Sequence, residues 1–339
     1  MPTSASRCTQ RDSWNRPRRS VERPIKRDPS ISDPHYTLGR ILGQRGELDE
    51  AIAEYKECIK IEKSDGRPPN SDYLSHWGLG VTLAEKGRLE EAIAELEVAV
   101  KVNPEFAAAN ISLGVALVKK GRFAEALGYL RRGHELGSKD PSWTFPSAQC
   151  VQYCERFVEL ESKLPAILSG QQQPADIAEH LALAEFCQLP CKKRYAAASR
   201  FYREAFAAEP KLAGEQPSEP RYNAACAAAL AGCGQGKDAD KLDTNERTCL
   251  RRQALDWLRA DLKAWRQVLD KSPDKAGPAT AQQMQHWLQD ADFAGVRGPN
   301  TLTRLPEAER QEWRKLWEEV EALRQRAAGR PAVASPARP

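Results

Sequence analysis

The chain has no apolar run of roughly the 18 residues a membrane-spanning helix needs, and its opening, MPTSASRCTQRDSWNRPRRS, lacks the apolar core of a secretory signal. These absences point to a cytoplasmic setting with no membrane partner. No stretch alternates polar and apolar residues for long enough to demand a β-sheet. Signatures of catalysis are missing too. The five histidines, His35, His76, His134, His180 and His286, are scattered, with no H-E-x-x-H pair and no nucleophile motif beside them. The turn GCGQGKD, Gly232 to Asp238, fails the phosphate-loop pattern at Ala231 and at Asp238, where a Gly and a hydroxyl are required, and no strand precedes it. DADFAG, Asp290 to Gly295, has Ala294 where D-F-G needs Gly, and no H-R-D loop or V-A-I-K lysine exists elsewhere. The expectation is a protein that is not an enzyme and holds no cofactor.

Cysteine is present, but as nine residues, an odd count in a long chain without an export signal, which favours reduced thiols over a disulfide framework. Cys150 and Cys154, like Cys187 and Cys191, stand four apart, as core-facing residues of a helix do, and no metal site is expected. What is present is 41% hydrophobic and 29% charged residue with a mean hydropathy of −0.63, the balance of a folded chain with wetted faces. Its net charge of +4 is uneven. Residues 1–30 carry eight basic side chains, Arg7 to Arg27, against Asp12, Glu22 and Asp28, a surplus of five that leaves the remainder near neutral. With its Pro and Ser content this arm reads as a basic, disordered leader over 1–31, and nucleic acid is not the expected partner.

Three segments repeat: QRGELDEAIAEYKECIKIEK, EKGRLEEAIAELEVAVKVNP and KKGRFAEALGYLRRGHELGS. Ala92 to Ala126 is 34 residues, and Ala51 to Ala92 is 41, which is 34 plus the insert Gly66 to Asp72. Before each Ala come Leu38-Gly39, Leu79-Gly80 and Leu113-Gly114, then Leu42, Leu83 and Leu117; after it come Tyr55, Leu96 and Leu130. Two leucines a helical turn apart with a small residue beside the first describe a helix that lets a second helix come close. Gly46, Gly87 and Gly121 end the first helix, and the Ala sits at the crossing, where extra bulk would cost about 1–3 kcal/mol. Each hairpin leaves one apolar face bare, so hairpins stack.

This spacing and residue pattern resembles the tetratricopeptide repeat family. The resemblance implies an all-α solenoid of helix-turn-helix repeats over 32–65, 73–106 and 107–140. Family members bind a peptide or partner protein through first-helix positions, which here include Tyr36, Arg40, Trp77, Val81, Ile111, Val115 and Lys119. The Lys and Asn clamp that one subfamily uses for C-terminal carboxylates is replaced by Tyr36 and Arg40, by Gly78, and by Ala108 and Ser112, so chaperone-tail binding is not expected.

Beyond residue 140 the pattern weakens. Ala198, Tyr202, Ala205 and Pro210 repeat the second-helix spacing, and helices are expected near Ala148 to Glu161 and Ala175 to Gln188. RYNAACAAALAGCG follows as a first helix, then an insert, then a helix opened by Asp243 and Glu246 in capping-box spacing, with Leu255, Leu258, Leu262, Trp265 and Leu269 as its stripe. A last helix runs from about Pro306 to Ala328, and 329–339 reads as a disordered tail. The stretches FPSAQCVQYCERFVELESKLPAIL, ALDWLRADLKAW and LPEAERQEWRKLWEEVEALR, with those between them, resemble the C-terminal segment of large bacterial serine/threonine protein kinases that carry such repeats after the kinase domain. That resemblance spans about Ser142 to Ala328 and implies a regulatory or scaffolding arm, detached here from any catalytic domain.

Overall fold

The computed structural model of the protein describes residues 32–64, 73–214 and 216–329. The expected leader over 1–31, the insert at 66–72 and the tail past Gly329 lie outside the described residues. Among the described residues every regular element is helical. The chain divides into two units, Met1–Glu159 and Leu160–Pro339.

The first unit is built from three hairpins. Helices α1 (Ser32–Gln44) and α2 (Leu48–Ser64) form the first, α3 (Tyr73–Glu85) and α4 (Leu89–Val102) the second, and α5 (Ala107–Lys120) and α6 (Phe123–Gly137) the third. Each second helix also packs on the next first helix, and the first helices touch their neighbours in turn, so α1, α3 and α5 lie side by side. The turn inside each hairpin is tight because Gly121, and its counterparts in the other repeats, adopt positive φ; at +85° the Gly121 N–H reaches back to the Leu117 and Val118 carbonyls.

The repeat arithmetic is visible in the packing. A Cβ on Gly80 would lie 2.6 Å from Leu96 Cγ and 3.1 Å from the Ala92 carbonyl oxygen, and one on Gly114 would lie 2.6 Å from Leu130 Cγ. The helices therefore cross at a distance only glycine and alanine allow. Ala51, Ala92 and Ala126 are fully enclosed. A polar bond repeats with the core: His35 Nδ1 lies 2.7 Å from Glu54 Oε2 and His76 Nδ1 lies 2.6 Å from Glu95 Oε2, each joining first to second helix across 19 residues. In the third repeat Asn110 takes the histidine's place and donates instead to the Pro104 and Phe106 carbonyls.

Helix α7 (Ser147–Leu168) starts in the first unit and ends in the second. It is seven residues longer at its end than expected, because Leu164 and Ile167 continue the buried stripe of Phe157 and Leu160 past Glu161. In the second unit α8 (Ile177–Gln188) pairs with α9 (Tyr195–Ala208), α9 with α10 (Glu219–Gly232), and α10 with α11 (Thr244–Lys271). Asp176 caps α8 by accepting the Glu179 N–H, two residues later than the expected start, and Asp243 and Glu246 close the expected capping box on α11.

The sequence pattern marks no helix over 273–289, where the structure has α12 (Pro273–Gln289). Pro278 and Gly277 hid it, since both weaken a helical pattern. The buried set Gly277, Thr280, Met284 and Trp287 nonetheless follows the three-and-four spacing. Two short helices, α13 (Ala294–Arg297) and α14 (Pro299–Leu302), lead to α15 (Glu307–Ala327), which packs on α12 and α11. Trp287, Phe293 and Trp313 are fully buried in this core, with Trp317 nearly so, and the DADFAG stretch serves it by placing Phe293.

Candidate functional site

Side-by-side first helices give the first unit a face made of α1, α3 and α5. Trp77, on α3, is half-buried, and its indole N–H donates to Ser112 Oγ on α5 at 3.0 Å. Its ring meets Phe106 edge-on at 5.4 Å, and Phe106 also meets Tyr73 at 5.0 Å. Tyr36, on α1, is half-buried with its ring 5.9 Å from Tyr55. Burial pushes the Tyr36 hydroxyl above its ordinary range, while the charge of Arg40 pulls the other way.

Arg40 and Lys119 are exposed, and neither has an ion pair among the described residues. Val81 and Val115 are half-buried between them. Ile111 is different: it is 4% exposed, and a Cβ on Gly133 of α6 would meet its Cγ1 at 2.7 Å. Its side chain fills the inside of the third hairpin, so Ile111 does not line the face as the family register implied. A helix residue one position along, Ser112, reaches the face instead. Tyr73 and Phe106 were also missed. Their signal was in the sequence as two aromatics flanking Trp77 at the repeat ends, where the repeat pattern assigns no groove role.

The face is therefore aromatic in the middle, with hydroxyls and unpaired cations around it. Its side chains can stack, accept apolar contact and pair with carboxylates.

Three buried thiols, Cys58, Cys154 and Cys187, are held protonated. Cys58 lies 3.2 Å from Ser75 Oγ and burial pushes its thiol up to about 12. Cys154 donates to the Phe123 carbonyl at 3.3 Å and is pushed up to about 11, and Cys187 to about 12, again by burial. Thiols held protonated in this way are poor nucleophiles and poor metal ligands. Of the two cysteine pairs, only Cys154 and Cys187 are buried; Cys150 is partly buried and Cys191 lies in the turn after α8, so the second pair is not the helical core pair its spacing suggested.

The described residues do bring Cys226, Asp290 and Asp292 within 4.8 Å of one another. Asp290 already accepts the Tyr222 hydroxyl at 2.6 Å and the Asp292 N–H at 3.0 Å. Burial drives the Cys226 thiol well up, and burial with the neighbouring Asp290 charge raises Asp292. The trio anchors the turn after α12 to α10 and is chemically disposed to hold protons.

A stack of two-helix units with a shared side-chain grammar defines a helical repeat protein. The repeats are of a known kind: the tetratricopeptide repeat family model matches residues 36–101 and 78–141, so this part of the chain is made of tetratricopeptide repeats. No curated protein matches the chain. Among solved structures it is similar to MamA 41-end from Desulfovibrio magneticus RS-1, with 15% identity over 61% of this chain and 91% of that one at a TM-score of 0.34. It is also similar to YrrB, described as a TPR protein with an unusual peptide-binding site, with 17% identity, 72% and 95% coverage and a TM-score of 0.31. A third is a putative kinesin light chain of Podospora anserina with nearly identical TPR-like repeats, at 19% identity, 68% and 95% coverage and a TM-score of 0.32. At these values the likenesses carry no argument about ligands. No helix among the described residues is long and apolar enough to cross a membrane.

Proposed function

We propose that the chain is a non-catalytic scaffold that binds a peptide or protein segment across the face of α1, α3 and α5. One observation carries this reading. The indole of Trp77 bridges to Ser112 on the next first helix and stays half-exposed, on helices that also carry half-buried apolar side chains and two exposed cations with no ion pair among the described residues. A rigidly held aromatic surrounded by adaptable polar groups is the arrangement that most often dominates binding energy. Arg40 and Lys119 give the bound segment an acidic preference.

In this reading the chain works in the cytoplasm. The resemblance of about Ser142 to Ala328 to kinase C-terminal segments favours a second setting for the same face: a regulatory arm acting with catalytic machinery carried on another chain. The test is affinity capture with the wild-type chain and with Arg40→Glu/Lys119→Glu. Both positions are exposed, so the fold is untouched, and partners that belong to the face are those retained by the first and lost by the second. Equal capture by both removes the face from the account.

A further inference from the structure

A second concentration of charge lies in the Leu160–Pro339 unit, on α9. A cavity of about 410 Å3 is bordered there by Arg194, which precedes α9, by Arg200 and Arg203 of α9, and by Lys241 from the segment before α11. Its apolar wall is made of Leu168, Leu242 and Leu250, all half-buried. This volume falls within the size range of ligand sites, and a wall of leucines with a cationic border suits a ligand that is both apolar and anionic.

Among the described residues these charges are not balanced. Arg194, Arg203 and Lys241 have no ion pair among the described residues, and Arg200 has only Glu204 at 3.7 Å. Two carboxylates border the cavity, and both are engaged with backbone. Glu246 accepts the Asp243 N–H at 2.8 Å in the capping box of α11. Asp238 accepts the Ala196 and Ala197 N–H groups at 3.3 and 3.0 Å.

The second of these explains the glycine-rich turn that imitates a phosphate loop. Lys237 N–H donates to the Lys193 carbonyl at 2.7 Å and its ammonium to the Cys191 carbonyl at 2.7 Å, which fixes the turn against the start of α9. The turn thereby delivers its own carboxylate to the helix N-terminus, the position a phosphate takes in a true phosphate loop. That anchor is filled from within, so phosphate is denied its backbone ligands, and the remaining positive charge belongs to side chains beside an apolar wall.

Spacing narrows the ligand further. Arg194 and Arg203 are nine residues apart, about 14 Å at the helical rise. A single small carboxylate spans no such distance, whereas an extended peptide covers it in about four residues. Nucleic acid would call for aromatic stacking platforms, and no aromatic side chain borders the cavity. We infer that this cavity binds a short extended acidic peptide, with carboxylates about four residues apart on Arg194, Arg203 and Lys241 and apolar side chains against Leu168, Leu242 and Leu250. The inference is independent of the repeat face, since every residue it uses lies in the other unit.

The test uses the full chain and fluorescence anisotropy of dye-labelled Glu-Leu-Ala-Leu-Glu, with Gln-Leu-Ala-Leu-Gln carrying the same dye as control. The acidic probe is expected to bind saturably and the Gln control about tenfold or more weaker. Arg203→Glu/Lys241→Glu should lose affinity by a similar factor with an unchanged helical circular-dichroism melt, while Arg40→Glu/Lys119→Glu should leave it intact. Should the charge reversal melt early, Arg203→Gln/Lys241→Gln supplies the same comparison. The inference is overturned if the acidic probe does not bind, if the Gln control binds equally, or if affinity survives the cavity variants. It is also overturned if inorganic phosphate or a single-stranded oligonucleotide displaces the probe more effectively than unlabelled acidic peptide does.

Discussion

The two units solve the same problem, burying one face of a helical hairpin, with different chemistry. Residues 32–137 do it by repetition. The same glycine approaches the same leucine at Gly80–Leu96 and Gly114–Leu130, and His35–Glu54 recurs as His76–Glu95. Residues 160–329 do it with single devices that occur once. Arg221, fully buried, donates to Asp261 through Nε at 2.7 Å and also to the Ala213, Gly214 and Gln216 carbonyls. Arg251 joins Gly232 of α10 to Glu309 of α15, and five large aromatics, Tyr222 among them, fill the end of the unit. A repeated hairpin spreads its stability over similar increments. A core of unique contacts concentrates it, so substitutions there are expected to cost more.

The largest effect should therefore fall on Arg221→Ala, which leaves Asp261 buried and unpaired and three carbonyls without a donor. A loss of about 3–5 kcal/mol is expected by urea denaturation of the second unit. Replacing both partners by leucine should recover only part of it, because the carbonyls still lack their donor; full recovery would show that the Arg221 network is dispensable. A smaller effect belongs to the repeats. Ala92→Leu forces α3 and α4 apart at their crossing and should cost about 1–3 kcal/mol. An unchanged melting temperature would break the contrast from the other side, since it would mean the crossing has slack.

The smallest effect is electrostatic. The Lys163 ammonium, with the Ala175 N–H, holds the Glu179 carboxyl below its ordinary 4.5. A carboxyl with a lowered folded value stabilises the fold above its unfolded value and stops doing so as pH falls through the folded one. Stability should thus decline below about pH 4.5 in a way that Glu179→Gln flattens, by less than about 1 kcal/mol for so small a network. A slope identical in wild type and variant would remove Glu179 from the acid response.

The same contrast decides what could be read in advance. Where the chain repeats, each residue was seen three times, and the hairpins, their glycines and the enclosed alanines were legible from spacing. Where contacts are unique, only strongly marked segments were legible: the capping box at Asp243, the leucine stripe of α11 and the last helix near Pro306 to Ala328 were, but α12 was not. The candidate site was legible as a set of helix positions and not as side-chain directions. The family register gives Ile111 and Trp77 the same groove position, yet Ile111 packs inward against Gly133, while Phe106 and Ser112 contact Trp77, which stays half-buried. Neither neighbour is close to its partner in the repeat grammar.

The claim that the α1, α3 and α5 face is the binding surface is tested most directly by one titration: a partner retained through Arg40 and Lys119, measured against wild type and Trp77→Ala, with thermal melts of both proteins run beside it. The account predicts a loss of about 2 kcal/mol or more in affinity with melting close to wild type. Full affinity in Trp77→Ala, or binding lost only in step with the fold, would contradict it.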